Sequence, residues 1–223
     1  MTIKYHGEYP ALLLKVAGKM RRKRMVFLYA LLKHLPPPLK ILDVGGTETF
    51  WEMIGLAGDN RYQITMINLE TFTCHYGNLQ SVQGDARSMT MFQNQSFDLV
   101  FSNSVIEHLG TYDAQRLMSQ EIRRIGRRYF VQTPNRDFWI EPHFVFPFFQ
   151  FLPNRWRSWF VQHFKLGWVG RIKNPQDAME MVVSIRLLSR KEFLDLFPEA
   201  KVYQEKILGW TKSFIAYGGF EGI

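Results

Sequence analysis

Cysteine is almost absent: Cys74 stands alone in 223 residues. No intramolecular disulfide can form, which suits a reducing compartment and a cytoplasmic setting. Paired metal-ligand spacing is absent as well. His6, His34, His75, His108, His143 and His163 are scattered and form no HxxxH pair, so no metal site is expected. No uninterrupted apolar run is long enough to span a bilayer. The most apolar segment, FWIEPHFVFPFFQFLP (138–153), holds Glu141, His143 and three prolines. The early stretch ALLLKVAG is short and carries Lys15, so it does not read as a leader. Internal repeats, low-complexity segments and a separate RNA-binding module are also missing. The turn after the first expected strand, ILDVGGTET (41–49), is poor in glycine beyond Gly45 and Gly46.

Basic residues, by contrast, are in excess. The formal net charge is +8. Much of it is clustered, in Lys19, Arg21, Arg22, Lys23 and Arg24, and in Arg123, Arg124, Arg127 and Arg128. Such clusters are solvated helix faces in most proteins. They can also meet a nucleic acid, an anionic membrane surface or an acidic ligand. The 46% hydrophobic content is enough to bury a core in one domain with an elaborated cap.

Residues 10–35 have helical spacing, with Leu12, Val16 and Met20 on one face and Leu28, Leu31, Leu32 and Leu35 continuing the pattern. Pro36–Pro38 end that region. From residue 40 to 135, apolar strands alternate with helices. Strands are expected at 40–45, 62–70, 79–86, 96–104 and 128–135, and helices at 49–57 and 112–126, the latter closed by Gly126. Alternation at this spacing implies an α/β fold with a parallel sheet covered on both faces. A last helix, 187–200, precedes two strands, 201–208 and 212–219, joined through Gly209. A link that short demands an antiparallel pair.

In parallel α/β sheets the ligand lies beyond the carboxyl ends of the strands. Those ends read Asp43-Val44-Gly45-Gly46, Asn68-Leu69-Glu70, Gly84-Asp85-Ala86, Ser102-Asn103-Ser104 and Thr133-Pro134-Asn135. The first four each carry an acid or an amide.

Residues 40–86, the segment FDLVFSNSVIEHLG (97–110) and FVQTPN (130–135) together resemble the class I S-adenosylmethionine-dependent methyltransferases, in particular the small-molecule branch called type 11. The resemblance implies a Rossmann-like, doubly wound sheet of seven strands, mostly parallel with an antiparallel last strand, and helices on both faces. It implies S-adenosylmethionine as cofactor and S-adenosylhomocysteine as product. By this resemblance, Asp43, Gly45, Gly46 and Thr47 lie at the cofactor's amino acid end. A side chain after the second strand, Asn68 or Glu70, takes the ribose hydroxyls. Glu70 is favoured because a carboxylate accepts two hydroxyl donors. Asp85 and Ala86 take the adenine, and Asn103 and Ser104 sit near the sulfonium. The sequence departs from the family turn, which carries Gly-x-Gly-x-Gly after the acid. Here the slots hold Gly45, Thr47 and Thr49.

His108, in the EHL segment, is a candidate general base, since an unperturbed imidazole titrates near neutrality. The segment RDFWIEPHFVFPFFQFLPNRWRSWFVQHFKLGW (136–168) is dense in Phe and Trp and interrupts the alternation. It is expected to cap the strand ends and line an acceptor pocket, with Glu141 and His143 as its polar groups and as a catalytic pair that could deprotonate or position an acceptor hydroxyl. The chain thus divides into an N-terminal helical region (1–38), a cofactor half (39–135), an aromatic-rich cap (136–186) and a helix with a terminal hairpin (187–223), all within one domain.

The function expected is methyl transfer from S-adenosylmethionine to a small-molecule acceptor, a hydroxyl or other nucleophile on a metabolite, lipid or glycan. Peripheral membrane contact would suit a lipid-linked acceptor. A methyltransferase-like binding or regulatory protein with weak cofactor affinity is the alternative, motivated by the absent glycines. Nucleic-acid methylation ranks lower, because SNSV follows the fourth strand where an Asn-Pro-Pro-Tyr type of motif would stand. A nicotinamide dehydrogenase ranks lowest, because the Gly-x-Gly-x-x-Gly turn is missing.

Overall fold

A computed structural model describes residues 11–220. Helix α1 spans Ala11–Leu32 and stops ahead of the prolines. Leu28, Leu32 and Leu35 are buried, as the spacing predicts, whereas the Leu12 and Val16 side chains lie outside the described residues. Strand β1 (Leu39–Val44) leads into α2 (Glu48–Met53), and β2 (Tyr62–Asn68), β3 (Leu79–Gln83) and β4 (Leu99–Asn103) follow. A short 3-10 turn, Ile106–Leu109, precedes α3 (Tyr112–Ile125) and β5 (Tyr129–Pro134). In the insertion, β6 (Ile140–Glu141) and β7 (Phe146–Pro147) form a small hairpin, followed by α4 (Asn154–His163) and α5 (Pro175–Ser184). Helix α6 (Arg190–Leu196), β8 (Lys201–Ile207) and β9 (Trp210–Gly218) complete the fold.

The main sheet has seven strands in the order β3-β2-β1-β4-β5-β9-β8. β1 pairs parallel with both β2 and β4, and β5 continues parallel to β4. β9 runs antiparallel to β5 and to β8. The Leu208-Gly209 turn has positive φ at both positions, the geometry of a tight hairpin that keeps the strand twist. The sheet is therefore mostly parallel with an antiparallel last strand, as expected. Chain order reverses between β1 and β4, which opens a crevice at their carboxyl ends.

Each face of the sheet has its own apolar layer. Ile41, Met66, Phe101 and Phe130 meet α1 and Trp51 on one side. Leu42, Val100 and Val131 meet Met118, Ile122 and Ile125 of α3 and Phe193 of α6 on the other. Alternate residues of one strand face opposite layers, so these strands read as continuous apolar runs.

Two strand ends differ from the sequence expectation. β2 stops at Asn68, short of Glu70. Its edge partner β3 ends at Gln83, and Gly84 N–H gives the last bond to Asn68 C=O at 2.8 Å. Beyond that point the ladder ends: the Leu69 carbonyl accepts from the Gln83 side-chain amide at 3.1 Å instead, and the chain bends away.

The aromatic insertion builds a third core. Phe144 and Phe149 are fully buried with Val161, Ala178, Met181 and Val182 of α4 and α5. Helix α5 was not expected, although its start was written in the sequence. Asn174 caps it, accepting from Gln176 N–H at 2.8 Å, and Pro175 occupies the first turn. The basic cluster on α1 is also not one solvated face: Arg21, Arg22 and Lys23 are exposed, but Arg24 is buried.

Candidate functional site

The first turn is set by the Asp43 carboxylate. Its side chain folds inward, is fully buried, and accepts a 2.8 Å hydrogen bond from the Trp51 indole N–H. A Cβ on Gly46 would fall inside that carboxylate, and one on Gly45 would lie 2.6 Å from Val105. Both glycines thus make room for the protein's own side chains, and Gly45 also holds φ +76°. The expectation was that they admit the cofactor, so the structure gives them a different first reason. Thr47 caps α2, its hydroxyl accepting from Phe50 N–H. Asn68 donates from its amide to Gly46 C=O at 2.9 Å and braces the same turn.

Two cavities meet at Gly45. One, of about 300 Å³, is lined by Asp43, Gly45, Gly46, Thr47 and Asn103, with Arg21 of α1 and Phe101. The other, of about 370 Å³, is lined by Gly45, Asn68, Leu69, Asp85, Ala86, Val105 and His108. None of the insertion's aromatics lines either of these strand-end cavities. They fill their own core or face outward. Glu70 is exposed and lies outside both linings, because β2 ends before it. Its expected place on the strand face with Asn68 is not realised. Asp85 meets Arg87 in a fork, with the closest approach at 2.5 Å, and its pKa is lowered chiefly by those hydrogen bonds. Asn103 accepts from Arg24, and Ser104, at φ +57°, donates to Gln132 at 2.7 Å.

Burial raises the Asp43 pKa from 3.8 to about 7, and the Trp51 bond offsets only part of that. At neutral pH this carboxyl is poised between its two states.

The second half of the site forms where the insertion folds over β4 and β5. Glu141, at the end of β6, is buried and fully engaged. One oxygen accepts from the backbone N–H groups of His143 and Phe144, each at 2.7 Å, and the other meets His143 Nδ1 at 2.8 Å. A carboxylate so occupied orients the ring and is not itself a base. His143 lies edge-on to His108, ring centroids 4.9 Å apart. Burial disfavours a charged His143, but Glu141 and then Glu107 outweigh it and the pKa is raised. His108 moves the other way, down to about 3, first through burial and then through His143. The downward shift keeps it neutral at neutral pH and weakens it as a proton acceptor, which argues against its expected role as general base. His108 nonetheless joins the two halves, because it lines the larger cavity and touches the His143 ring.

Sequence reasoning missed three groups here. Glu107 is fully buried, with one oxygen accepting from Thr133 Oγ1 at 3.0 Å and its pKa raised by burial. Arg24 is buried against Glu205, with Nη2 to Oε2 at 2.6 Å. Lys212 is kept below its ordinary pKa, first by burial and then by Arg24. The signal for Glu107 was its place beside His108 in IEHL. Arg24 and Lys212 gave none, since each looks like an ordinary surface base.

Residues 42–128 match the family model described as "Methyltransferase domain". This segment is therefore similar to a methyltransferase domain over less than half of the chain. No curated protein matches the sequence. Among solved structures, a protein described as a methyltransferase from an antibiotic biosynthesis pathway of Anabaena variabilis ATCC 29413 aligns with a TM-score of 0.52 at 15% identity. That alignment covers 83% of this chain and 64% of that one, so this chain spans under two thirds of its length. PigF, solved with S-adenosylhomocysteine, aligns at 0.50 and 14% identity over 93% of this chain and 66% of its own. A protein described as a Zn-dependent alcohol dehydrogenase of Rhodobacter sphaeroides aligns at 0.52 and 12% identity, covering 84% and 86%. Identities this low speak for the shared fold alone.

S-adenosylmethionine is the cofactor that the likeness to a methyltransferase domain implies, and the residues present fit it. One cavity offers the Asp43 carboxyl and the Arg21 guanidinium to a ligand that carries both an ammonium and a carboxylate. The adjoining cavity offers Asp85 and Asn68 beside the apolar Ile67, Val105 and Leu109, as a purine riboside needs.

Proposed function

We propose that the chain methylates a hydroxyl on a small acceptor, with the cofactor along the β1–β4 carboxyl edge and the acceptor at His143. The cofactor supplies an activated methyl group on a sulfonium, which departs as the neutral thioether of S-adenosylhomocysteine. Asp43, Gly45, Gly46 and Thr47 with Arg21 hold its amino acid end. Asn68 serves the ribose, and Asp85 and Ala86 the adenine. Asn103 and Ser104 stand beside the methyl group.

The observation that carries this reading is the Glu141–His143–His108 chain, which runs from the buried insertion to the wall of the cofactor cavity. His143 Nδ1 is held by Glu141, which leaves Nε2 to take the hydroxyl proton. The oxygen then bonds to the methyl carbon as the carbon–sulfur bond breaks, and the bonding pair stays on sulfur. His108, neutral, positions the oxygen. The chain's main contribution is alignment, because the leaving group is already good.

Support for an apolar, lipid- or glycan-linked acceptor comes from the insertion's outer face. Phe148, Phe151, Trp156 and Trp159 are exposed near Arg155 and Lys165, a composition that suits peripheral contact with a lipid surface. Among the described residues no helix is long and apolar enough to cross a membrane. A cytoplasmic site of action and the division into cofactor half and acceptor cap belong to the same proposal. Nucleic acid is disfavoured because the α1 basic cluster turns Arg24 inward.

The test is transfer of a labelled methyl group into a cell extract, followed by the same reaction with His143→Ala. The reading requires a labelled product that the variant makes far more slowly while still binding S-adenosylhomocysteine. Full activity of His143→Ala would remove His143 as the base. Two observations favour the second reading, a binding protein with weak cofactor affinity: Val105 rests on Gly45 where the cavities meet, and Arg87 already occupies Asp85.

A further inference from the structure

Glu107, His108 and His143 come together from two distant segments, and each presents one ligand atom within 4.8 Å of the other two. Glu107 is 0% exposed, yet its Oε1 has no hydrogen-bond partner, while Oε2 is fixed by Thr133. A buried carboxylate oxygen without a partner is costly and calls for a bound water or ion. His143 donates or accepts through Nδ1 at Glu141, 2.8 Å away, so Nε2 is its remaining ligand atom. A carboxylate behind a histidine ring is the usual outer support of a metal-bound imidazole, since it fixes the ring and raises its basicity.

We propose that Glu107, His108 and His143 form a binding site for one divalent transition-metal ion beside the larger cavity, which His108 lines. Two imidazoles and one carboxylate suit zinc, manganese, iron or cobalt better than magnesium or calcium, which prefer all-oxygen shells. Three protein ligands leave positions open for an acceptor oxygen. The inference rests on the acceptor-site reading above. While the ion is bound, His143 acts as ligand, and the acceptor hydroxyl loses its proton to water because the cation lowers its pKa.

The test is a titration of the EDTA-treated full chain with Co²⁺, followed by visible absorption, with S-adenosylhomocysteine binding measured by calorimetry on the same preparation. One equivalent of Co²⁺ should bind, with d–d bands of low coordination number. Glu107→Gln and His108→Gln should each weaken it at least tenfold. His108 is only half-buried, so its variant serves if Glu107→Gln fails to fold. Glu141→Gln should weaken it about ten- to a hundredfold, and Asp85→Ala should leave it unchanged. No saturable absorption at millimolar Co²⁺ overturns the site, as does binding that both ligand variants retain. Loss of S-adenosylhomocysteine binding with cobalt binding intact overturns the methyl-transfer reading and leaves the metal site standing.

Discussion

At the scale of single residues, Asp43 and His143 make opposite demands on pH. The Asp43 carboxyl has a folded pKa raised to about 7, above its unfolded value of about 3.9. Between those two values the unfolded chain is ionised and the folded chain is not, so stability falls as pH rises through that window and levels off above it. Asp43→Asn keeps an acceptor for Trp51 and removes the buried charge. It should therefore raise thermal stability at pH 8 by roughly 1–4 kcal/mol and leave it nearly unchanged at pH 4. The same variant should bind S-adenosylhomocysteine more weakly at pH 8, since a carboxylate facing the ligand's ammonium is gone. Denaturation curves and calorimetry at both pH values check the pair of outcomes. His143, with its pKa raised, is charged on the acid side, so turnover should climb as pH rises through that pKa. His143→Ala should lower kcat by about 10²–10⁴ and flatten that limb of the profile, while cofactor affinity stays as it was.

At the scale of elements, α1 is tied to the terminal hairpin by one buried ion pair. Arg24 forks onto both oxygens of Glu205 in β8 and also reaches Asn103 at the end of β4, while Ser213 of β9 donates to Glu205 at 2.5 Å. Removing one partner of a buried pair leaves the other charge uncompensated. Arg24→Met should cost about 3–5 kcal/mol, and the double variant Arg24→Met with Glu205→Leu should recover much of it. Urea denaturation of both variants decides this, and equal losses in the single and the double variant would refute the coupling. None of it was readable beforehand, because Arg24 stands in a cluster of five basic residues that reads as a solvated face. The central strands, in contrast, were legible: they are buried on both sides and read as unbroken apolar runs. Their ends were less so. β2 ends where β3 stops supplying hydrogen bonds, and such pairing is a property of the sheet rather than of either segment.

At the scale of the whole molecule, sequence order alone already placed the polar strand ends at one edge, since parallel strands all point their carboxyl ends the same way. That is why Asp43, Asn68, Asp85 and Asn103 were found together. The acceptor side was only half legible. Glu141 and His143 stood out as polar residues in an aromatic segment, but Glu107 and Lys212 join them through the fold of the insertion over β4, β5 and β9. The aromatics were only partly legible for a related reason: composition shows that Phe and Trp seek burial, not which surface they bury. Phe144 and Phe149 fill the insertion's own core, and Trp156 and Trp159 remain outside.

The central claim is that the β1–β4 crevice holds S-adenosylmethionine despite its glycine-poor turn. Calorimetric titration of the full chain with S-adenosylhomocysteine tests it most directly. One saturable site, weakened in both Asp43→Asn and Asp85→Ala, is the predicted result. Absence of binding at millimolar ligand, or binding indifferent to both substitutions, would contradict it.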